Sequence, residues 1–96
     1  MHKLKFDPDA LKEWGALDGS IKAELKKGLK KRLASPIVES ARLHGELNNC
    51  FKIKSKKSEY RLIYTVNKDE LIVIVLSVGK REKIAAYRTA KKHKLR

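Results

Sequence analysis

The sequence predicts an α+β fold in the order β-α-α-β-β-β-α, with a helical hairpin packed on a twisted, mostly antiparallel sheet. Apolar residues recur at helical spacing in the first third of the chain, and three strand-like runs with very short connections fill the second half. The length of 96 residues suits one domain with one modest core. We therefore expect residues 1–96 to form a single compact domain.

The N-terminal third is predicted to contain a short strand and two helices. KLKF, at 3–6, alternates polar and apolar residues as a strand does, and Asp7 then caps a helix with Pro8 at its first position. The apolar positions of this helix are Ala10, Leu11, Trp14 and Leu17.

After a break at Asp18-Gly19, Ser20 opens a second helix. Its apolar stripe is Ile21, Leu25, Leu29 and Leu33. The remaining positions of the second helix are largely cationic: Lys22, Lys26, Lys27, Lys30, Lys31 and Arg32. The short break predicts an antiparallel helical hairpin.

The second half is predicted to be mostly sheet. Ser35-Pro36 ends the hairpin, and 36–48 has the character of a loop with one poorly defined stretch near 41–43. Strands are expected at 49–55, 59–66 and 70–78. The last of these is apolar on both faces, which predicts a central strand covered on both sides. A final basic helix is expected over 81–93.

The charge of the chain predicts a polyanionic partner. The 24 Lys and Arg residues against 11 Asp and Glu give a net charge of +13. A field of this sign favours nucleic acid, the ribosome or an acidic protein partner, and less strongly an anionic membrane. The longest apolar run, LIVIVLSV, is far too short to span a membrane, and the N-terminal MHKLKFDPDA lacks the apolar core of a signal peptide. The single cysteine, Cys50, excludes an internal disulfide. We expect a cytoplasmic protein that does not use a membrane.

Strand geometry predicts a cationic face around CFKIKSKKSEYRLIY. Lys52 and Lys54 are two residues apart, so they share a strand face and lie roughly 6–7 Å from each other. If Tyr64 and its alternate neighbours face the core, Arg61 stands beside the two lysines. The end of the last strand, Lys80 and Arg81, and the aromatic Tyr87 are expected near the same surface.

Metal-dependent chemistry is not predicted for this face. The three histidines, His2, His44 and His93, are scattered, and the five glycines form no phosphate-binding loop. An enzyme built on this face would work without metal or cofactor. RNA permits such chemistry, because its 2′-hydroxyl can attack the adjacent phosphate while clustered cations stabilise the developing charge. A lysine could take the proton if repulsion from a neighbouring lysine lowered its pKa. Composition alone favours the simpler interpretation, in which the face is solvated or holds a polyanion without reacting with it.

The ordered series of motifs resembles the RelE toxins of bacterial toxin–antitoxin systems. The motifs are LKFDPDALKEW, Leu43-x-Gly45, CFKIK, YRLIY, and SVGKRE followed by Tyr87, and the resemblance covers nearly the whole chain. It implies an endonuclease that enters the ribosomal A site and cuts the message there, since the ribosome holds the RNA in the geometry that in-line attack needs.

The resemblance also implies roles for individual residues. Lys54 is the implied general base, with Tyr87 as an alternative, while Lys52 and Arg61 stabilise phosphate charge. Arg81 acts as acid or leaving-group stabiliser, and Tyr87 stacks on the substrate base. Further contacts to message or ribosomal RNA are expected from Lys22, Lys26, Lys27, Lys30, Lys56, Lys57, Lys80 and Lys83.

The implied protein partner is a RelB-like antitoxin that masks the basic surface, with operator DNA bound only through the antitoxin. Glu59 departs from the family pattern, in which a small residue is common, and adds negative charge near the site. Two other functions stay open at this point. One is a non-catalytic RNA- or ribosome-binding module, and the other is the ParE type of toxin, which shares the architecture but poisons DNA gyrase.

Overall fold

The chain forms strand β1 (Lys3–Phe6), helices α1 (Pro8–Gly15) and α2 (Gly19–Ala34), and strands β2 (Cys50–Lys54), β3 (Tyr60–Asn67) and β4 (Ile72–Lys80). A computed structural model describes residues 2–43, 45, 49–56 and 58–80. A short 3-10 turn, Glu39–Ala41, occupies the predicted loop. The predicted order β-α-α-β-β-β is confirmed. The expected final helix over 81–93 lies outside the described residues.

The strands form one sheet in the order β1-β4-β3-β2. β1 pairs in parallel with β4, whereas β4–β3 and β3–β2 are antiparallel, so the predicted mostly antiparallel sheet is confirmed. β4 is internal, as its apolar sequence predicted. β2 forms one edge of the sheet, where a bridge from Arg42 to Phe51 covers part of the strand.

Both helices begin at an aspartate. The backbone N–H of Asp9 donates to Oδ1 of Asp7, 3.2 Å away, which confirms the predicted cap of α1. The predicted cap of α2 was wrong by two residues, because Asp18 rather than Ser20 holds that position. Asp18 accepts hydrogen bonds from the hydroxyl and the backbone N–H of Ser20, and the hydroxyl bond chiefly holds the pKa of the Asp18 carboxyl below its ordinary value.

Two apolar clusters lie on opposite faces of the sheet. The larger cluster packs both helices against the sheet and is formed by Ala10, Leu25, Leu29, Phe51, Ile53, Leu62, Tyr64, Val73, Val75 and Val78. The smaller cluster consists of Leu43, Cys50, Ile63 and Leu76. Leu11 belongs to neither; it is 54% exposed, so its predicted place on the apolar side of α1 was wrong. In α1, Ala10 is buried and Trp14 packs against the same cluster, so these two positions face the sheet.

The helix α2 passes close over the edge strand β2. A Cβ atom placed on Gly28 would lie 2.8 Å from Cγ2 of Ile53, so only glycine permits this approach without a shift. The contact sets α2 beside the strand that carries Lys52 and Lys54. No helix in the described part of the chain is long and apolar enough to cross a membrane.

Candidate nucleic-acid interface

Lys54 and Arg61 stand directly opposite each other on β2 and β3. Their Cα atoms are register partners, and the next partner of Arg61 across the sheet is Gly79 on β4. Directly opposed residues point to the same face of an antiparallel pair, so the predicted sharing of one face by Lys52, Lys54 and Arg61 is confirmed. Gly79, the third position of this row, contributes no side chain.

The local sequence fixes which side of β2 is cationic. Phe51 and Ile53 lie in the large cluster under the helices, so the alternate residues Lys52 and Lys54 must point to the other side. Lys52 and Arg61 are half-buried and Lys54 is exposed. The cationic groups therefore rest on a rigid sheet whose opposite face is packed core.

The hairpin between β2 and β3 is tied to α2 by one carboxylate. Oε2 of Glu24 accepts the backbone N–H of Lys56 at 2.6 Å, and Oε1 accepts the Ser55 hydroxyl. The Ser55 Oγ in turn accepts the backbone N–H of Ser58 at 3.1 Å. Glu24 therefore positions the loop that joins the strands bearing Lys54 and Arg61. This role of Glu24 was not predictable from the sequence, because its partners lie more than thirty residues away along the chain.

A small cavity of about 80 Å³ lies at the base of this hairpin. Its lining consists of Lys54, Ser55, Ser58, Glu59, Tyr60 and Arg61. Glu59, whose charge was predicted to lie near the site, thus lines the same cavity as two of the predicted catalytic cations. A phosphate held between Lys54 and Arg61 would receive charge-assisted hydrogen bonds from both sides. The negative charge of Glu59 in the same cavity would repel that phosphate.

A second cavity, of about 260 Å³, opens around the edge of β2. It is lined by Arg32, Ser40, Ala41, Lys52 and Lys54. Arg32 was predicted only as one of several cations on the second helix. Its position beside the apolar stripe residues Leu29 and Leu33 was the available signal that its side chain lies at the helix–sheet boundary.

Arg32 is held in place by Tyr64. Nη1 of Arg32 donates to the Tyr64 phenol oxygen at 2.9 Å, and the guanidinium carbon lies 5.8 Å from the ring centroid. The phenol donates to the carbonyl oxygen of Pro36 at 2.7 Å. Burial raises the pKa of the Tyr64 phenol, and the hydrogen bond from Arg32 opposes that rise. The phenol thus stays a neutral anchor for the arginine at ordinary pH.

The other predicted RNA contacts occupy several surfaces. Lys22, Lys26 and Lys30 line an apolar groove of about 340 Å³ beside β1, with Leu4, Phe6, Trp14, Leu29 and Leu33. This groove is at the sheet edge opposite β2, three strand spacings or about 14 Å across the sheet. Lys27 and Lys56 are exposed, and Lys80 is exposed at the end of β4 opposite Tyr60. The predicted Lys57, Arg81, Lys83 and Tyr87 lie outside the described residues.

Comparison with known proteins identifies the family. A model of the family described as "ParE toxin of type II toxin-antitoxin system, parDE" matches residues 4–85. The mRNA interferase toxin RelE of Escherichia coli K12 is 45% identical over 89 residues, which cover 93% of each chain. A putative RelE-like toxin protein of E. coli is 44% identical over the same share of both chains.

Solved structures agree with the sequence comparison. A double mutant of the E. coli toxin RelE in the free state superposes with a TM-score of 0.89 at 42% identity, over 96% of each chain. The toxin of the intact E. coli RelBE toxin–antitoxin complex matches with a TM-score of 0.81 at 43% identity, over 86% of this chain and 100% of that one. The chain belongs to the RelE toxins of the RelE/ParE toxin–antitoxin superfamily.

Proposed function

We propose that this protein is the toxin of a type II toxin–antitoxin system and cleaves messenger RNA in the ribosomal A site, which stops translation. The reaction proposed is attack of a 2′-hydroxyl on the adjacent phosphate, with no metal ion taking part. The observation that carries the proposal is the cross-strand pair Lys54–Arg61 with Lys52 on the same face, in a chain 45% identical to an mRNA interferase.

Each cation has a role in this proposal. Lys52 and Arg61 neutralise charge on the pentacoordinate phosphorane, a contribution that preorganised donors make most strongly at half-buried positions such as these. Lys54, the most exposed of the three, takes the 2′-hydroxyl proton, with Tyr87 as the alternative base. Arg81 stabilises the leaving 5′-oxygen and Tyr87 stacks on the substrate base. The last two roles rest on the family resemblance alone.

The proposed partners follow from the family and the charge. A RelB-like antitoxin would cover the basic surface, as supported by the 43% identity with the toxin of a solved RelBE complex. Operator DNA would be bound only through that antitoxin. We place the activity in the cytoplasm, where ribosomes and message are found, and assign it to one domain, 1–96.

Ribosomes paused at a defined codon provide the test. Purified protein is added with and without ribosomes, and message ends are mapped by primer extension. Lys54→Ala should lower the cleavage rate by on the order of 100-fold, as loss of a preorganised catalytic donor does. Lys12→Ala, which removes an exposed lysine on α1, is the matched control and should stay within about twofold of wild type.

The family model carries the name of the ParE toxins, so gyrase inhibition is the second candidate function. Supercoiling by DNA gyrase is therefore measured with the same protein. Gyrase inhibition without RNA cleavage would replace the nuclease assignment. Ribosome binding that arrests translation with the message intact, and that Lys54→Ala leaves unchanged, would indicate a non-catalytic binding module.

A further inference from the structure

The cavity around the edge of β2 has the charge and the donors of an anion site. Three of its five lining residues, Arg32, Lys52 and Lys54, are cationic, and Ser40 adds a hydroxyl. None of the described lining residues is acidic. At about 260 Å³ the cavity is several times the ~30 Å³ that a water molecule occupies in the liquid, so an oxyanion fits inside.

Two of these groups are held on structured supports. The Tyr64 phenol accepts one hydrogen bond from Arg32, and a guanidinium has five N–H donors, so donors remain for a ligand. Ser40 lies in the 3-10 turn, which is fixed at its ends by two 2.8 Å hydrogen bonds from Arg42 to Glu39. The Arg42 guanidinium also lies 4.8 Å from the centroid of the Phe51 ring. A ligand would therefore meet donors that are already partly ordered, which lowers the entropy cost of binding.

The cavity around the edge of β2 and the proposed reaction site share a cationic residue. Lys54 lines both this cavity and the small one that contains Arg61. A ligand with successive negative charges would thus place one on each side of Lys54. An RNA backbone has this character, and arginine suits phosphate because its planar fork donates two parallel hydrogen bonds.

We propose that Arg32 and Ser40 form a second phosphate site, which holds an RNA backbone phosphate next to the reacting one, with Lys52 and Lys54 between the two phosphates. The inference rests on the proposed function and adds a subsite to it. The phosphate belongs either to the message or to ribosomal RNA, and both supply the same chemistry. Arg32 binds and positions the RNA, whereas the reacting phosphate is at Arg61.

The first test is single-turnover cleavage on programmed ribosomes with the toxin in excess. Arg32→Gln should raise the toxin concentration for half-maximal rate by about tenfold, because a hydrogen bond to a charged group is lost, with the maximal rate changed less than about threefold. Lys31→Gln is the matched control, since it removes the neighbouring exposed charge on the same helix outside the cavity.

A second pair of variants leaves the Arg32–Tyr64 contact intact. Ser40→Asp places a carboxylate on the cavity wall, and Ser40→Asn places a neutral group of the same shape there. Ser40 is exposed, so neither change disturbs the core. Ser40→Asp should raise the toxin concentration for half-maximal rate at least as much as Arg32→Gln does. Ser40→Asn, which keeps a neutral hydrogen-bonding group at this position, should raise it much less than Ser40→Asp.

Neutral methylphosphonate linkages, placed one at a time in the message, identify the source of the phosphate. If one such linkage removes the effect of Arg32→Gln, the phosphate belongs to the message. If the effect persists with every linkage, the phosphate belongs to ribosomal RNA. The site would be overturned if the toxin concentration for half-maximal rate were the same in Arg32→Gln as in Lys31→Gln, and the same in Ser40→Asp as in Ser40→Asn. The proposed nuclease function would be unaffected by that result.

Titration with inorganic phosphate tests the site without any cleavage. The NMR signal of the Arg32 Nε–Hε group should shift saturably in wild type and Ser40→Asn, and not in Ser40→Asp. Absence of this shift in wild type would count against the site even if cleavage were normal. A protein that shows the shift but cuts no message would retain the phosphate site and lose the proposed nuclease function.

Discussion

Replacement of Gly28 by alanine tests how tightly α2 is packed on the strand that carries the cationic residues. The new Cβ would lie 2.8 Å from Cγ2 of Ile53, a branch methyl in the core rather than the flexible end of a side chain. Overpacking of this kind costs about 1–3 kcal/mol, and the higher helix propensity of alanine returns about 0.8–1.0 kcal/mol. We expect a net loss of about 1 kcal/mol in the free energy of unfolding.

Urea denaturation followed by circular dichroism measures this loss. Gly15→Ala is the matched control, because nothing lies within 4 Å of its Cβ position, and it should stabilise the protein by about 0.5 kcal/mol. In an Ile53→Leu background the offending branch is absent, so Gly28→Ala should become stabilising. If Gly28→Ala stabilised the protein as much as Gly15→Ala does, the close approach of α2 to β2 would be refuted.

Three further changes probe the hairpin, the small cavity and the buried phenol. Glu24→Gln should lower the free energy of unfolding, measured by urea denaturation, by about 1 kcal/mol, because an amide has one acceptor oxygen where the carboxylate uses two. An unchanged value would show that the hydrogen bonds of Glu24 to the hairpin do not stabilise the fold. Glu59→Gln removes the negative charge beside Lys54, so the cleavage rate at low substrate concentration should rise about two- to fivefold. This increase should become smaller as salt is added. A lower cleavage rate would instead show that the Glu59 carboxylate contributes to the reaction. Burial raises the pKa of Tyr64, so above pH about 10 the unfolded state releases this proton first and stability falls with pH. Tyr64→Phe should show a shallower fall in alkaline urea titrations, and an equal slope would contradict the argument.

The shared face of Lys52, Lys54 and Arg61 was predictable because it depends on parity alone. A strand alternates its faces with a period of two, and the hydrophobic pattern decides which set is buried. The register within β4 was not predictable. A bulge shifts the pairing between Ile63 and Tyr64, and the run LIVIVLSV has no alternation to mark the extra residue.

The cap of α2 and the position of Arg32 were missed for different reasons. Asp18 and Ser20 are both good capping residues, and the choice depends on the backbone, which is extended at Asp18 with ψ of 145°. Arg32 reaches the edge of β2 only because α2 crosses that strand at Gly28. Such a crossing is set by packing between distant segments, and helical spacing alone contains no information about it.

Salt should act in opposite directions on the stability and on the RNA affinity of this protein. A net charge of +13, with Arg32, Lys52, Lys54 and Arg61 near one sheet edge, destabilises the free fold through repulsion, so added potassium chloride should raise its melting temperature. The same salt should weaken RNA binding, because releasing counterions into a more concentrated salt solution gains less free energy. Phosphate at equal ionic strength adds two effects, exclusion from the surface and binding at the site. Only the second depends on the cavity, so the excess stabilisation by phosphate over chloride should be smaller in Ser40→Asp than in Ser40→Asn. If phosphate stabilised the two variants equally beyond chloride, its extra effect would come entirely from exclusion of phosphate from the protein surface. The cationic edge would then contribute repulsion but no phosphate binding.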